Sequence, residues 1–299
     1  MRLILWSIAE IALSLLVIYT LVFLAFAVVP IDPARAVLGP NAPEPAVARL
    51  REDFGLQRPL PVRYWMTLRR MLVGDFGTSF YLRRPAREVV LDFAPRTLGR
   101  AAIGLLGGAA VGLMIGRLTR RDGRRVLRVI LVFLQSIPSF CLVLVLLWTT
   151  ARLLGRTPLG SPGLYELLAV CGAAAYPAGA IGLFVLERTA PAGAVPRHVE
   201  FLEMLGAPPR YIHNVLWKES VPGAIAIGIN AVGIALTAVF FGELIFGIRG
   251  FGLVFIRSVE RGDLSIVIAG SMLLSLVVVT VQKAGDVVLR LVDPRISRD

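Results

Sequence analysis

Six stretches of this chain are apolar for about the length that a helix needs to cross a bilayer. That length is about 20 residues, and lipid offers an unpaired backbone no hydrogen-bond partner, so such stretches must form helices. The six runs cover roughly 5–29, 97–116, 129–151, 166–186, 224–246 and 264–282. The sequence therefore predicts an all-α polytopic membrane protein with six transmembrane helices.

Composition supports this fold class and weighs against other classes. The 299 residues are 56% hydrophobic and only 17% charged, whereas soluble domains are about 25% charged. The net charge of +12 comes from basic residues distributed among the loops, which is typical of lipid contacts and topology signals and does not indicate nucleic-acid binding. Cys141 and Cys171 each lie in an apolar run. We interpret them as small buried side chains, not as a disulfide or metal ligands.

The orientation in the membrane follows from the loop between the second and third runs. It contains six arginines and a single acidic residue, Asp122, and such loops are cytosolic. The arginines are Arg117, Arg120, Arg121, Arg124, Arg125 and Arg128. Both termini and the segment 197–222 are then also cytosolic, and segment 30–96 lies outside, although it too is rich in arginine. No cleavable signal peptide is expected, and the first run is taken as the first transmembrane helix.

The segment between the first two runs is predicted to be helical. Residues 47–55 and 64–72 have the apolar spacing of short helices, and Gly55 and Gly74 are placed to end them. We expect a small extracytoplasmic helical segment between transmembrane helices 1 and 2. It could receive a partner, plug the pathway or simply cover the helix ends.

Glycines and prolines mark three of the predicted spans. The second span contains glycines at every fourth position, a pattern that lets membrane helices approach closely. These are Gly104, Gly108, Gly112 and Gly116. We favour packing within the chain over a homodimer face. Pro138 and Pro177 lie inside the third and fourth spans, where each is expected to kink its helix.

Residues 197–222 form a charged amphipathic segment between long apolar runs, which we call the island. The pattern predicts a helix over 197–205, with Gly206 in the left-handed position after its end. Pro209 is placed to open a second helix, and Pro222 to mark the turn into the fifth span. In the second helix Ile212, Val215 and Leu216 form one apolar face. Amphipathicity alone leaves open a passive interfacial helix pair or a docking element for a cytosolic partner.

A series of short motifs resembles one family nearly from end to end. The chain resembles the DppB/OppB-like permease subunit of bacterial peptide and nickel ABC importers, within the binding-protein-dependent transport (MetI-like) superfamily. Each motif is weak alone, but their order and spacing are specific. They are Pro30-x-Asp32-Pro33-Ala34, Gly55-Leu56, Pro59-Leu60-Pro61-Val62-x-Tyr64, Gly74-Asp75-Phe76-Gly77-x-Ser79, Pro95-x-Thr97-Leu98, Ser136-Ile137-Pro138-Ser139-Phe140, Glu243-x-x-Phe246-x-x-x-Gly250-x-Gly252 and Asp293-Pro294-Arg295-Ile296.

The resemblance implies a type I ABC importer permease fold and a division of the chain into three parts. Residues 1–95 would hold the first transmembrane helix and the extracytoplasmic segment. Residues 96–290 would form the ABC transmembrane type-1 core, and 291–299 a cytosolic tail. The chain would be half of the pathway for ATP-driven uptake of di- or oligopeptides or related small solutes in the bacterial inner membrane. Nickel or metal-chelate uptake within the same family is the alternative.

The resemblance also implies the partners. These are a second, DppC/OppC-like permease, two ABC ATPase subunits, an extracytoplasmic substrate-binding protein and membrane lipid. No cofactor is expected on this chain and no catalytic or metal-binding residue, since ATP and Mg²⁺ would be bound by the ATPases. The chain itself lacks the GxxxxGK[ST] phosphate loop.

The resemblance places the family's coupling loop, which contacts the ATPase, at the island. Phe201 and Leu202 stand where the family has alanines. The candidate coupling residues are Glu200, Glu203, Gly206, Ala207, Pro209, Ile212, Leu216 and Pro222.

Charged residues around the end of the fifth span are a second candidate site. Glu243, Arg249 and Asp263 are either ordinary loop charges, which we favour, or contacts of an outer gate or the binding protein.

Two other classes of protein fit the sequence less well. A secondary transporter would carry ionisable residues inside its spans and an internal repeat, and we expect the interiors of the last five spans to have no charged residue. A membrane enzyme would need more than His198 and His213, which we interpret as surface histidines because no nucleophile or metal-ligand spacing accompanies them.

Overall fold

The computed structural model describes residues 2–28, 33–39, 41–53, 55, 57–118, 124–153, 162–189 and 196–292. These residues form helices joined by turns, with one isolated β-bridge between Thr78 and Pro85. The predicted all-α class is confirmed. The helices are α1 (Arg2–Val28), α2 (Pro33–Leu38), α3 (Glu44–Asp53), α4 (Leu60–Leu72), α5 (Ala86–Leu118), α6 (Arg124–Ser136), α7 (Ser139–Leu153), α8 (Pro162–Thr189), α9 (Arg197–Met204), α10 (Pro209–Asn230), α11 (Val232–Phe246), α12 (Phe251–Glu260) and α13 (Leu264–Val292).

Some residues that carried predictions lie outside the described part of the chain. They are Arg120, Arg121 and Asp122 of the arginine-rich loop, Pro30 to Asp32 of the first motif, Leu56 of the second, and Asp293 to Ile296 with the rest of the tail.

Four of the described helices are long and apolar enough to cross a membrane by themselves. They are Ile8–Val28, Ala86–Leu118, Gly163–Thr189 and Leu264–Val292. Two further pairs of helices, Arg125–Ser136 with Ser139–Leu153 and Pro209–Asn230 with Val232–Phe246, are apolar enough but bent. Among the described residues the predicted six spans are reached when each bent pair counts as one.

The bend of the third run is much larger than the predicted kink. α6 and α7 meet at an angle of 110° around Ile137 and Pro138. Proline lacks the N–H that the helix ladder needs, and it also drives the residue before it out of the helical conformation. The run 129–151 is therefore two short helices. By contrast, α8 continues through Pro177.

The chain divides into two compact units, which are described one at a time. The first comprises Met1–Arg96 and Arg249–Thr280. Its core is an aromatic and aliphatic cluster shared by α1, α4 and α13, in which Tyr19, Phe23 and Met272 are buried. The Tyr19 hydroxyl donates a hydrogen bond to the Tyr64 carbonyl at 2.7 Å. This bond and the apolar contacts fix α4 against the first transmembrane helix.

In its described residues, the segment between the first two spans contains one helix more than the sequence predicts. α3 and α4 match the two predicted helices, and Gly55 and Gly74 follow them with positive φ angles of 64° and 79°. The additional helix is α2, whose six residues are too few to show an apolar period.

The second unit comprises Thr97–Ile248 and Val281–Asp299. α8 is its central helix and packs against α6, α7, α10 and α11. The predicted role of the glycine stripe within the chain is confirmed, because its glycines face α8: a Cβ on Gly108 would lie 2.2 Å from the carbonyl oxygen of Ala174. Cys171 was wrongly predicted to be buried. It is exposed on α8, and Cys141 is half-buried, since the helices around α8 leave that face of it uncovered.

Candidate functional site

The turn inside the island has the predicted geometry. α9 ends at Met204, and Gly206 follows in the left-handed region with φ of 74°. Pro208 is extended, and Pro209 is the first residue of α10, where a missing N–H costs the helix nothing. The sequence around the turn therefore predicts its backbone residue by residue.

The two helices of the island pack on each other through a small apolar core. Val199 of α9 and Ile212 and Leu216 of α10 are buried together, and Leu202 and Ala207 pack against them. The island is therefore a compact helix pair, and its turn is held closed by side chains from both helices.

Polar contacts reinforce the pair and fasten it to α5. His198 of α9 lies 3.2 Å from the Glu219 carboxylate of α10. His213, also on α10, has its Nε2 atom 3.0 Å from the carbonyl oxygen of Arg117, in the last turn of α5. The guanidinium of Arg117 in turn lies over the ring of Trp217, 4.7 Å from its centroid. Both histidines thus have packing roles, and the described residues hold no group of three potential metal ligands.

One face of α9 exposes large apolar side chains beside the acidic ones. Phe201, Met204 and Leu205 are 58%, 78% and 66% exposed, and Glu200 and Glu203 are exposed as well. We call these five residues the turn surface. Sequence reasoning had treated Phe201 only as a departure from the family pattern. The i, i+3, i+4 spacing of the three apolar residues is the signal that could have identified this surface.

The predicted turn at Pro222 is wrong. Pro222 lies inside α10, which continues to Asn230, and the bend of 43° falls at Ala231 instead. A proline in a membrane helix is tolerated where neighbouring groups satisfy the freed backbone. α10 therefore connects the island to the following apolar segment without interruption.

Glu243 is not a loop charge, as the sequence had favoured, but a fully buried carboxylate within α11. It accepts hydrogen bonds from the Thr97 hydroxyl and from Nη1 of Arg100, each at 2.7 Å. Nη2 of Arg100 reaches Glu166 of α8 at 2.8 Å. This group, the Arg100 cluster, links α5, α8 and α11. These three charges lie near the ends of their predicted spans, where they pair with one another.

Asp263, in the first unit, is also buried, and it lies directly before α13. The Ser79 hydroxyl donates to its Oδ2 at 2.5 Å, and the backbone N–H of Tyr81 donates at 3.3 Å. Burial raises the pKa of Asp263, and these hydrogen bonds act in the opposite direction. This carboxylate therefore fastens the segment around the Thr78–Pro85 bridge to the start of α13. It lies in the loop between α12 and α13 as predicted, but it is buried there and is not an ordinary exposed charge.

Arg249 is the third candidate of this group and differs from the other two. It is exposed, and its guanidinium lies over the ring of Phe93, 5.4 Å from the centroid. Of the three residues, only Arg249 lies at the surface as predicted for a loop charge.

Comparison with known proteins identifies the family. The family described as "Binding-protein-dependent transport system inner membrane component" matches residues 108–298, and the N-terminal family of the same transport systems matches residues 1–101. The chain belongs to this family. The predicted resemblance to DppB/OppB-like permeases is confirmed, and with it the permease function and the type I fold.

Curated relatives cover nearly the whole chain. The glutathione transport system permease protein GsiC of Salmonella choleraesuis (strain SC-B67) is 29% identical over 95% of this chain and 94% of its own length. The dipeptide transport system permease protein DppB of Lactococcus lactis subsp. cremoris (strain MG1363) is 23% identical over 96% and 97%. A probable peptide ABC transporter permease, y4tP, of Sinorhizobium fredii (strain NBRC 101917 / NGR234) is 26% identical over 92% of each chain.

Proposed function

We propose that this permease forms half of the pathway of an ABC importer that takes up di- or oligopeptides, including glutathione-like peptides. The observation that carries the substrate class is that relatives matched over nearly their whole length are glutathione, dipeptide and peptide permeases. The other half is a second, DppC/OppC-like permease. Two ATPase subunits bind ATP and Mg²⁺ on the cytosolic side, and an extracytoplasmic binding protein delivers the peptide.

The proposed topology places the permease in the bacterial inner membrane with both termini in the cytosol. The arginine-rich loop before α6 supports this, since basic loops stay inside. The segment with α2, α3 and α4 is then extracytoplasmic. In this proposal residues 1–95 form the N-terminal part, 96–290 the transport core and 291–299 the tail.

The island is proposed to be the element that receives the motion of an ATPase. The turn surface would enter an ATPase groove, with Phe201, Met204 and Leu205 as apolar anchors and Glu200 and Glu203 as charged contacts. A partner helix pair that lies in a groove uses such apolar positions at helical spacing. Because α10 is continuous from Pro209 to Asn230, a push on the turn is carried along this helix.

A second route leads from the island to α5. His213 and Arg117 join α10 to the last turn of α5, and the contact of Arg117 with Trp217 joins them again. Movement of the island therefore reaches two helices of the transport core at once. Such rigid-body transmission is how a small displacement at one site is converted into a larger change elsewhere.

The proposal is tested by reconstituting the importer, with its partner permease, ATPases and binding protein, in proteoliposomes. We expect uptake of labelled dialanine that requires both ATP and the binding protein, and a peptide as the ligand that mass spectrometry finds in the binding protein. Uptake that continues without ATP would indicate a secondary transporter. A nickel chelate as the bound ligand would contradict the peptide substrate.

A further inference from the structure

The guanidinium of Arg100 joins two carboxylates whose surroundings differ strongly. Nη1 lies 2.7 Å from Glu243, whose side chain is 0% exposed, and Nη2 lies 2.8 Å from Glu166, whose side chain is 49% exposed. Arg100 itself is 11% exposed. The ion pair with Glu243, the inner arm of the cluster, is thus enclosed by protein. The ion pair with Glu166, the outer arm, lies at the surface of the second unit.

The two arms also differ in how easily they separate. Breaking the inner arm would leave Glu243 charged and buried without its cation, which is strongly unfavourable. The Thr97 hydroxyl holds the same carboxylate in place at 2.7 Å. The outer arm is a pair with a half-exposed carboxylate, and such pairs are weak because water solvates the separated charge. Arg100 therefore keeps Glu243 as its permanent partner, whereas Glu166 can be exchanged.

The position of the cluster is suited to an arriving substrate. Arg100 lies near the start of the second predicted span, Glu166 at the start of the fourth and Glu243 near the end of the fifth. In the proposed topology all three positions are extracytoplasmic. A carboxylate that leaves the binding protein meets this side of the permease first.

We propose that Arg100 is a binding site for the free C-terminal carboxylate of the transported peptide, with Glu166 as a carboxylate that the peptide displaces. A guanidinium offers parallel N–H donors that match a carboxylate, and Glu243 and Thr97 keep it oriented. The inference rests on the proposed function, because it takes a peptide as the cargo. It assigns a part of that peptide to one residue of this chain.

The test measures KM for uptake by the reconstituted importer with two probes, dialanine and its C-terminal amide. Glu166→Gln removes the competing charge from an exposed position and keeps the size of the side chain. We expect it to lower the KM for dialanine about two- to five-fold, the factor that corresponds to an exposed ion pair, and to leave the KM for the amide unchanged. Any preference of the binding protein cancels, because each variant is compared with wild type for the same probe.

Two further variants complete the design. Glu260→Gln neutralises another half-exposed carboxylate, which pairs with Arg257 at 3.2 Å, and should change neither KM. Arg100→Lys keeps the charge but loses the planar fork, and should raise the KM for dialanine more than for the amide. If Glu166→Gln changes both probes equally, or neither, a packing role explains the cluster and the inference is wrong.

The failure of the inference is distinct from the failure of the proposed function. Wild-type importer that takes up dialanine in an ATP-dependent manner, while the variants treat both probes alike, overturns only the role of Arg100. Wild-type importer that takes up neither probe, together with a binding protein that carries no peptide by mass spectrometry, overturns the peptide cargo, and the inference with it.

Discussion

Adjacent glycines of α5 have very different surroundings, and this gives a matched pair of substitutions. A Cβ on Gly108 would lie 2.2 Å from a backbone carbonyl of α8, whereas a Cβ on Gly107 would meet nothing within 4 Å. Backbone atoms cannot move aside as a flexible side chain can. We expect Gly108→Ala to destabilise the protein by about 1–3 kcal/mol, as overpacking does, and Gly107→Ala to cause no loss. Thermal unfolding in detergent measures both, and equal midpoints would show that α5 and α8 do not pack closely.

We expect the stability of the protein to depend strongly on the buried ion pair between Arg100 and Glu243. Arg100→Met leaves the Glu243 carboxylate buried without a cation, which costs about 3–5 kcal/mol. Adding Glu243→Leu removes that charge as well, and we expect the double variant to recover much of the loss. The measurement is the thermal midpoint of the purified permease complex. A double variant no more stable than Arg100→Met would mean that the charge of Glu243 is not the source of the destabilisation.

The packing glycines of α5 and the buried carboxylates differ in how well the sequence reveals their roles. The glycine stripe repeats every four positions, so its close packing is visible in the sequence itself. The partners of Glu243 lie 146 and 143 residues away along the chain, and no local pattern connects them. The sequence therefore favours ordinary loop charges at Glu243 and Asp263, since burial by distant segments leaves no trace in the residues next to them.

At the scale of the helix, three prolines in apolar segments have two different outcomes. Pro138 separates α6 from α7 at 110°, whereas Pro177 and Pro222 lie inside continuous helices. Each proline removes the same hydrogen bond, so the difference comes from the surroundings. Of the apolar stretch of α8, 67% is buried, and neighbouring helices hold it in place. Packing of this kind is a tertiary property. The prolines are therefore visible in the sequence, but whether each one breaks its helix is not.

The island gives a prediction at the same scale. Gly206 has φ of 74° with nothing within 4 Å of a Cβ built on it, so a substitution there acts through the backbone alone. Proline cannot adopt this angle. We expect Gly206→Pro to distort the turn, so that ATP hydrolysis continues while peptide uptake is lost. Gly206→Ala should act in the same direction but more weakly, since its strain is about 1–2 kcal/mol.

Uptake and ATP hydrolysis measured together in proteoliposomes decide the role of the island. Gly233→Ala is the control, because Gly233 also has open space around it but lies in the helix α11. Glu200→Lys, which reverses a charge of the turn surface, should uncouple the two activities without changing the backbone. Normal coupling in both Gly206→Pro and Glu200→Lys would exclude the island as the element that transmits force.

At the scale of the whole molecule, the sequence predicts the class from the length and hydrophobicity of each run, and the family from the order of its motifs. The described helices reach the predicted six spans only when each bent pair counts as one. The course of the chain between spans was predicted less well. The sequence shows no sign of α2, and it predicts only a kink where the third run breaks into two helices. These are the places where short segments depend on distant contacts more than on their own pattern.

The orientation of the molecule in the membrane is open to a direct measurement. Trp65 in α4 and Glu203 in α9 are both exposed, and the proposed topology puts them on opposite sides of the membrane. Cys141 and Cys171 are first replaced by alanine to remove background labelling. A membrane-impermeant maleimide applied to spheroplasts, whose outer membrane is removed, should label Trp65→Cys at once. It should label Glu203→Cys only after the inner membrane is permeabilised. The reverse pattern would place the island outside, where no ATP-driven subunit could reach it.

The arginine-rich loop gives a second prediction about orientation. Because basic loops are held inside during insertion, replacing Arg117, Arg125 and Arg128 with glutamine should weaken the preference for this orientation. Some Glu203→Cys should then react with the maleimide in spheroplasts whose inner membrane is intact.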